Sequence, residues 1–169
     1  GWKTNDAFMI NSKVIVPMCG VYGNRYGSGW SLCKASDFLE ELEKIFVYLD
    51  GGKTEGADIS SILYGYNYSN KYNGEKIQSK YFYVEFKKKG TVHIWFTNAE
   101  LLKKFNIFGC QKHGWLPNSY GRKRYKGMSK EEQEVIKSFE GEKSYEKTVE
   151  NPQYYLGGNQ ILQIGMSEQ

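Results

Sequence analysis

Between Lys80 and Phe96 apolar and polar positions alternate in two successive runs. Phe82, Val84 and Phe86 alternate with Tyr81, Tyr83 and Glu85; Val92, Ile94 and Phe96 alternate with Thr91, His93 and Trp95. A period of two sends successive side chains to opposite faces, so each run predicts a strand with one buried face. Lys88-Lys89-Gly90 between them predicts a three-residue hairpin loop with the glycine left-handed. That loop pairs Phe86 with Val92, Glu85 with His93, Val84 with Ile94 and Tyr83 with Trp95. A slip of one residue would turn the apolar set to water, so burial selects this register. Tyr81, Tyr83, Glu85, His93 and Trp95 then share the second face, with Lys87, Lys88 and Lys89 at the tip. These aromatics either take a base or are covered by a helix.

The remaining pattern is mostly helical. Ala7–Ile10 and Val14–Met18, around Asn11-Ser12-Lys13, predict an opening hairpin. Residues 20–29 are a glycine-rich loop, with no strand–GxGxxG–helix unit for a dinucleotide. Ser36 is a candidate N-cap for a helix whose Phe38, Leu39, Leu42, Ile45, Phe46 and Leu49 form the core stripe, while Glu40, Glu41, Glu43 and Lys44 face water. Asp50-Gly51-Gly52 ends it. A short helix is expected over Asp58–Leu63, and a long loop over residues 64–76. Asn98 caps a helix over Ala99–Phe105, and residues 106–128 read as irregular. Ser129-Lys130-Glu131-Glu132 is a capping box opening a third helix, with Val135, Ile136 and Phe139 inward. An acidic helix over Glu142–Val149 stops before Pro152, and residues 157–169 form a tail. The predicted class is α+β, an antiparallel sheet built from hairpins with three to four helices on one side. One domain is expected over residues 1–156, in parts 1–75, 76–130 and 131–156.

Charge changes the picture. The chain of 169 residues has a net charge of +4, unevenly spread. Residues 1–75 carry 7 basic and 9 acidic side chains, residues 76–130 carry 13 and 2, and residues 131–169 carry 3 and 8. A basic middle interleaved with aromatics fits an anionic partner such as nucleic acid. The block could equally be a solvated face offset by the acidic end. No apolar run reaches the length of a membrane span. Gly1-Trp2-Lys3-Thr4-Asn5-Asp6 offers no apolar signal-peptide core, and the missing initiator Met suggests a piece of a longer protein. Three scattered cysteines point to a reducing cytoplasm rather than a disulfide framework.

Catalytic patterns are thin. Cys110-x-x-His113 with Cys19 and Cys33 lacks a paired Cys-x-x-Cys knuckle, so no metal is expected. His93 beside Glu85, and His113, have no Ser or Cys nucleophile near them in the pattern, and Glu85 and Glu100 are too isolated for a metal-dependent nuclease. Asn151-Pro152-Gln153-Tyr154 approximates an amino-methyltransferase tetrapeptide, but the second proline is replaced and no glycine-rich cofactor strand precedes it. A proline helix stop accounts for it.

Five stretches together carry a family resemblance: Trp2–Phe8, Lys88–His93, Leu101–Asn106, Trp115–Gly121 and Phe139–Tyr145. Over residues 2–156 the chain resembles the bacterial and phage domain-of-unknown-function family 4942. That family is usually found after an adenine-specific, S-adenosylmethionine-dependent DNA methyltransferase domain on mobile elements. The resemblance implies a restriction-modification setting, a methyltransferase domain on the same polypeptide, and a methyltransferase as the full-length protein. It brings no catalytic residue and no cofactor for this fragment. The expected function is therefore a non-catalytic DNA-binding or target-recognition accessory. A module docking the methyltransferase and a small metal-dependent nuclease are the alternatives. The expected DNA contacts are Lys87, Lys88 and Lys89 with Tyr81, Tyr83, His93 and Trp95, then Arg122, Lys123, Arg124 and Lys126 with Tyr120.

Overall fold

In the computed structural model the fold is α+β. The structure describes residues 9–24, 27–69 and 71–157. The chain divides into two compact units. Among described residues the first holds 11–101, and the second holds 9–10 with 102–157.

The first unit is built on an antiparallel sheet of β1 (Lys13–Pro17), β4 (Ile77–Gln78), β5 (Phe82–Lys87) and β6 (Thr91–Phe96), in the order β1-β6-β5-β4. The β5–β6 register is the one burial selects: Tyr83 opposes Trp95, Glu85 opposes His93 and Phe86 opposes Val92. Gly90 has φ +81° and its N–H donates to Lys87 O at 2.9 Å, closing the three-residue loop. The opening hairpin does not form as expected. Lys13–Pro17 is a strand, but it pairs with β6, Val14 opposite Ile94 and Ile15 opposite His93. The main chain of Ile10 instead exchanges two hydrogen bonds with the Asn106 side-chain amide, at 2.9 and 3.0 Å. Ala7 lies outside the described residues. The glycine-rich segment carries a small ladder, β2 (Tyr22–Asn24) with β3 (Gly27–Trp30), rather than only loop.

Helix α1 (Ser36–Leu49) lays Phe46 against the sheet, where its ring stacks on Phe96 at 5.2 Å. Ser36 is not its cap: a 3-10 turn, Leu32–Ala35, runs straight into it, and Ser36 Oγ meets Ser60 Oγ at 2.9 Å. Phe38 and Ile45 of the expected stripe are exposed. Glu43, expected in water, is buried: its carboxylate accepts the Ile59 N–H at 2.8 Å and the Ser79 hydroxyl. Helix α2 (Ile59–Ser69) is longer than expected, because Leu63 is buried and Asn67 Oδ1 accepts the Leu32 N–H at 3.1 Å. Half of the tyrosine-rich "loop" is therefore helix. Ile77, Phe82, Val84, Phe86, Val92 and Ile94 form the sheet's share of the core.

Helix α3 (Ala99–Lys112), which lies in the second unit from residue 102 on, runs past the expected end at Phe105, since Ile107 and Cys110 are buried two and five residues on. Helices α4 (Lys130–Phe139) and α5 (Glu142–Glu150) place Ile136, Phe139 and Tyr145 in a core with Leu116, Tyr120, Met128 and Tyr155. The capping box is present: Ser129 Oγ accepts the Glu132 N–H and Glu132 accepts the Ser129 N–H. Pro152 opens a further helical stretch, 152–157, where its fixed φ suits a first turn. From residue 158 the expected tail lies outside the described residues.

Candidate nucleic-acid interface

The alternation of β5 and β6 sends one set of side chains to the core and the other to the opposite sheet face. Because β1 pairs with β6, that second face has three cross-strand rows. Gln78, Tyr83, Trp95 and Lys13 form the first; Glu85, His93 and Ile15 the second; Lys87, Thr91 and Pro17 the third. Tyr83, His93 and Trp95 are half-buried on this face, opposite the one that carries Val84, Val92 and Ile94 into the core. Two ammonium groups approach the Trp95 ring, Lys13 Nζ at 4.8 Å and Lys76 Nζ at 4.3 Å from its centroid. The His93 ring lies 5.8 Å from that of Trp95.

Charge on this face is predominantly positive. Lys87 pairs with Glu85, the face's acidic member, leaving Lys13 and Lys76 to set its sign, with Lys88 and Lys89 at the hairpin tip. Lys88 Nζ sits 5.0 Å from the Tyr22 ring, and Lys89 is exposed. Partial burial, reinforced by Lys13 and Lys87, holds His93 below the ordinary imidazole value, so the ring is neutral at pH 7. A neutral imidazole gives the face a donor and an acceptor without adding charge.

Tyr81 does not join this face. The strand begins one residue later, at Phe82, so the alternation does not govern Tyr81. Its ring is buried near Phe46, and its single O–H is shared between Asp50 Oδ2 at 3.2 Å and Lys53 O at 3.1 Å. No ring face is left for stacking.

The second expected cluster is built differently. Tyr120 is buried in the second core, its hydroxyl donating to Glu140, and burial beside that carboxylate pushes its ionisation far up. It too offers no stacking face. Arg124 is held by acids of α5, at 2.7 Å from Glu146 and 3.4 Å from Glu150. The Tyr125 N–H and Arg124 together keep the Glu146 carboxyl below its usual range. Around these contacts the loop is tied down: Tyr145 donates its hydroxyl to Lys123 O at 2.6 Å and accepts the Gly121 N–H at 3.1 Å. Arg122, Lys123 and Lys126 remain exposed. The segment is a pinned turn with part of its charge already met.

Lys13 and Lys76 were missed by sequence reasoning. Lys13 sits where a hairpin turn was expected, and Lys76 outside any strand. Period two over Lys13, Ile15 and Pro17 was the available signal, but it does not tell which strand β1 joins. Of the zinc candidates, Cys19 and Cys33 are exposed, while burial raises the Cys110 thiol to about 11 and keeps it protonated. Among the described residues no helix is long and apolar enough to cross a membrane.

A family model described as Domain of unknown function (DUF4942) matches residues 1–115. The match spans the whole sheet and its basic face, and ends before Arg122, Lys123, Arg124 and Lys126. No curated protein and no solved structure matches the chain.

Proposed function

We propose that this chain, which belongs to the family described as Domain of unknown function (DUF4942), is a non-catalytic DNA-binding module whose contact surface is the second face of the sheet. One observation carries the reading: Lys13 and Lys76 lie over Trp95 on a face shared with Tyr83 and His93 whose acidic member, Glu85, is already paired with Lys87, and Lys88 and Lys89 add charge at the hairpin tip. Phosphates supply the missing counter-charge, and rings and imidazole lie where bases would follow. Within this reading the module serves as the target-contacting accessory of an adenine-specific, S-adenosylmethionine-dependent methyltransferase domain on the same polypeptide, the partner that the resemblance implies. The second basic cluster is a lesser contact, because α5 already holds Arg124.

Salt titration tests this. A log–log plot of affinity against salt loses about 0.7–0.9 in slope per phosphate contact removed, so replacing Lys13, Lys76, Lys88 and Lys89 together by Ala flattens it by about three units. An unchanged slope in the folded quadruple variant sends the phosphate contacts elsewhere. A wild-type chain that binds no DNA even at low salt ends the reading, and the basic face is then a surface for an acidic protein.

A further inference from the structure

The DNA-binding reading leaves open the form of DNA, and the geometry of the same face bears on it. The row Gln78–Tyr83–Trp95–Lys13 crosses four strands. Neighbouring strands lie about 4.7–4.9 Å apart, so three gaps make the backbone alone about 14 Å wide. The B-form major groove is about 12 Å wide and admits a helix or a two-stranded ribbon. A four-stranded face presented broadside does not enter it. What the face offers instead is a group of rings: Tyr83 and Trp95 in register on adjacent strands, and His93 two residues along β6 from Trp95 with its ring tilted 51° to the indole. Flat aromatic faces bind bases only when those bases are out of the helical stack.

We infer that the sheet face around Trp95 takes the unpaired bases of single-stranded DNA, stacking one on Trp95 between the two lysines while those lysines meet the flanking phosphates. The inference rests on the DNA-binding reading above. In the free protein Lys13 and Lys76 lie 4.8 and 4.3 Å from the Trp95 centroid, so an arriving base displaces an ammonium from the ring. That exchange favours the base, because a solvent-exposed cation–π contact is weaker than base–aromatic stacking and the freed ammonium gains a phosphate in its place. Both lysines are on flexible stems at exposed positions, so the displacement needs no backbone change. Glu85 does not oppose the strand, since Lys87 holds it, and His93 stays neutral and free to hydrogen-bond a base edge. Tyr81 and Tyr120 take no part, being buried.

The test is fluorescence anisotropy of the full chain with a labelled fifteen-residue oligodeoxythymidine and with a labelled fifteen-base-pair duplex, at low salt. The inference expects the single strand to bind at least tenfold tighter than the duplex. Trp95→Leu weakens single-strand binding about ten- to hundredfold, the loss expected for one stacked base, whereas Trp95→Phe, which keeps a ring, retains most of it. Should Trp95→Leu fail to fold, the Lys13→Gln, Lys76→Gln pair carries the test: its single-strand salt slope falls by about 1.4 units, 0.7 for each contact. Preference for the duplex, or a folded Trp95→Leu chain that binds the single strand as the wild type does, overturns the inference and leaves DNA binding standing. An unchanged slope in the lysine pair overturns it too. Binding to neither probe removes both readings at once.

Discussion

Glu43 shows how much a single buried residue organises. On α1 it reads as one more acid on a charged face, yet its two carboxylate oxygens serve the first N–H of α2 and the Ser79 hydroxyl ahead of β5. It is only 4% exposed. Replacing it with Ala leaves a buried N–H and a buried hydroxyl without partners, each a desolvated group that water cannot reach. Glu43→Ala is expected to cost about 2–4 kcal/mol of stability, and Glu43→Gln less, since the amide oxygen still accepts the Ile59 N–H. Urea unfolding of the two variants checks this. A loss under about 0.5 kcal/mol for the alanine, the size of an ordinary surface change, sinks the assignment.

At the scale of elements, the β5–β6 hairpin is where local chemistry and tertiary structure agree most closely. Gly90 holds φ +81°, and a Cβ there would meet Met18 O at 3.5 Å, an ordinary contact. Crowding therefore does not forbid a side chain at this position; backbone strain does. Gly90→Val is expected to cost about 1–3 kcal/mol, the range for a non-glycine residue held in the left-handed region. Lys89→Ala, at an exposed tip, is expected to stay within about 0.5 kcal/mol of the wild type. For a chain of this length each kcal/mol moves the midpoint by about 2–4 °C, so thermal melts separate the two variants. Equal midpoints mean the loop does not hold its left-handed glycine.

Across the whole molecule, the basic middle of the sequence is put to two uses. Lys103 and Arg124 are occupied by the acids that follow: Lys103 lies 3.0 Å from Glu140 with its ammonium on Ser144 O at 2.6 Å, and Arg124 lies against Glu146 and Glu150. Lys13 and Lys76 lie together over Trp95, Lys88 lies over Tyr22 and Lys89 is exposed at the hairpin tip, and among the described residues none of the four has an acidic partner. A charge paired inside the fold releases no counterion on binding DNA. Replacing Arg122, Lys123 and Arg124 together by Ala is therefore expected to flatten the salt slope by no more than about two units, less than the four-lysine change. A larger effect from the arginine–lysine triple in parallel salt titrations reverses the ranking of the two surfaces. The family match draws the same division, covering the lysine face and ending before the triple.

Local rules were enough for features whose cause is local. Period two placed Phe82, Val84, Phe86, Val92 and Ile94 on one face, and a glycine at the loop's last position set the register. Ser129 and Glu132 announced their helix because both halves of a capping box lie within four residues. Features caused by distant partners were not legible. Residues 64–69 are helical because Leu63 and Asn67 find burial and a hydrogen bond at Leu32, and residues 106–112 because Ile107 and Cys110 meet a second core; weak local propensity yields to such packing. The site divided the same way. Tyr83, His93 and Trp95 could be placed on a face from their own spacing. Lys13 joined them only because β1 pairs with β6, and Tyr81 and Tyr120 left the surface because Asp50 and Glu140 were there to take their hydroxyls. A side chain's face follows from its neighbours in the chain, whereas its exposure and the fate of its charge depend on groups that folding brings from far away.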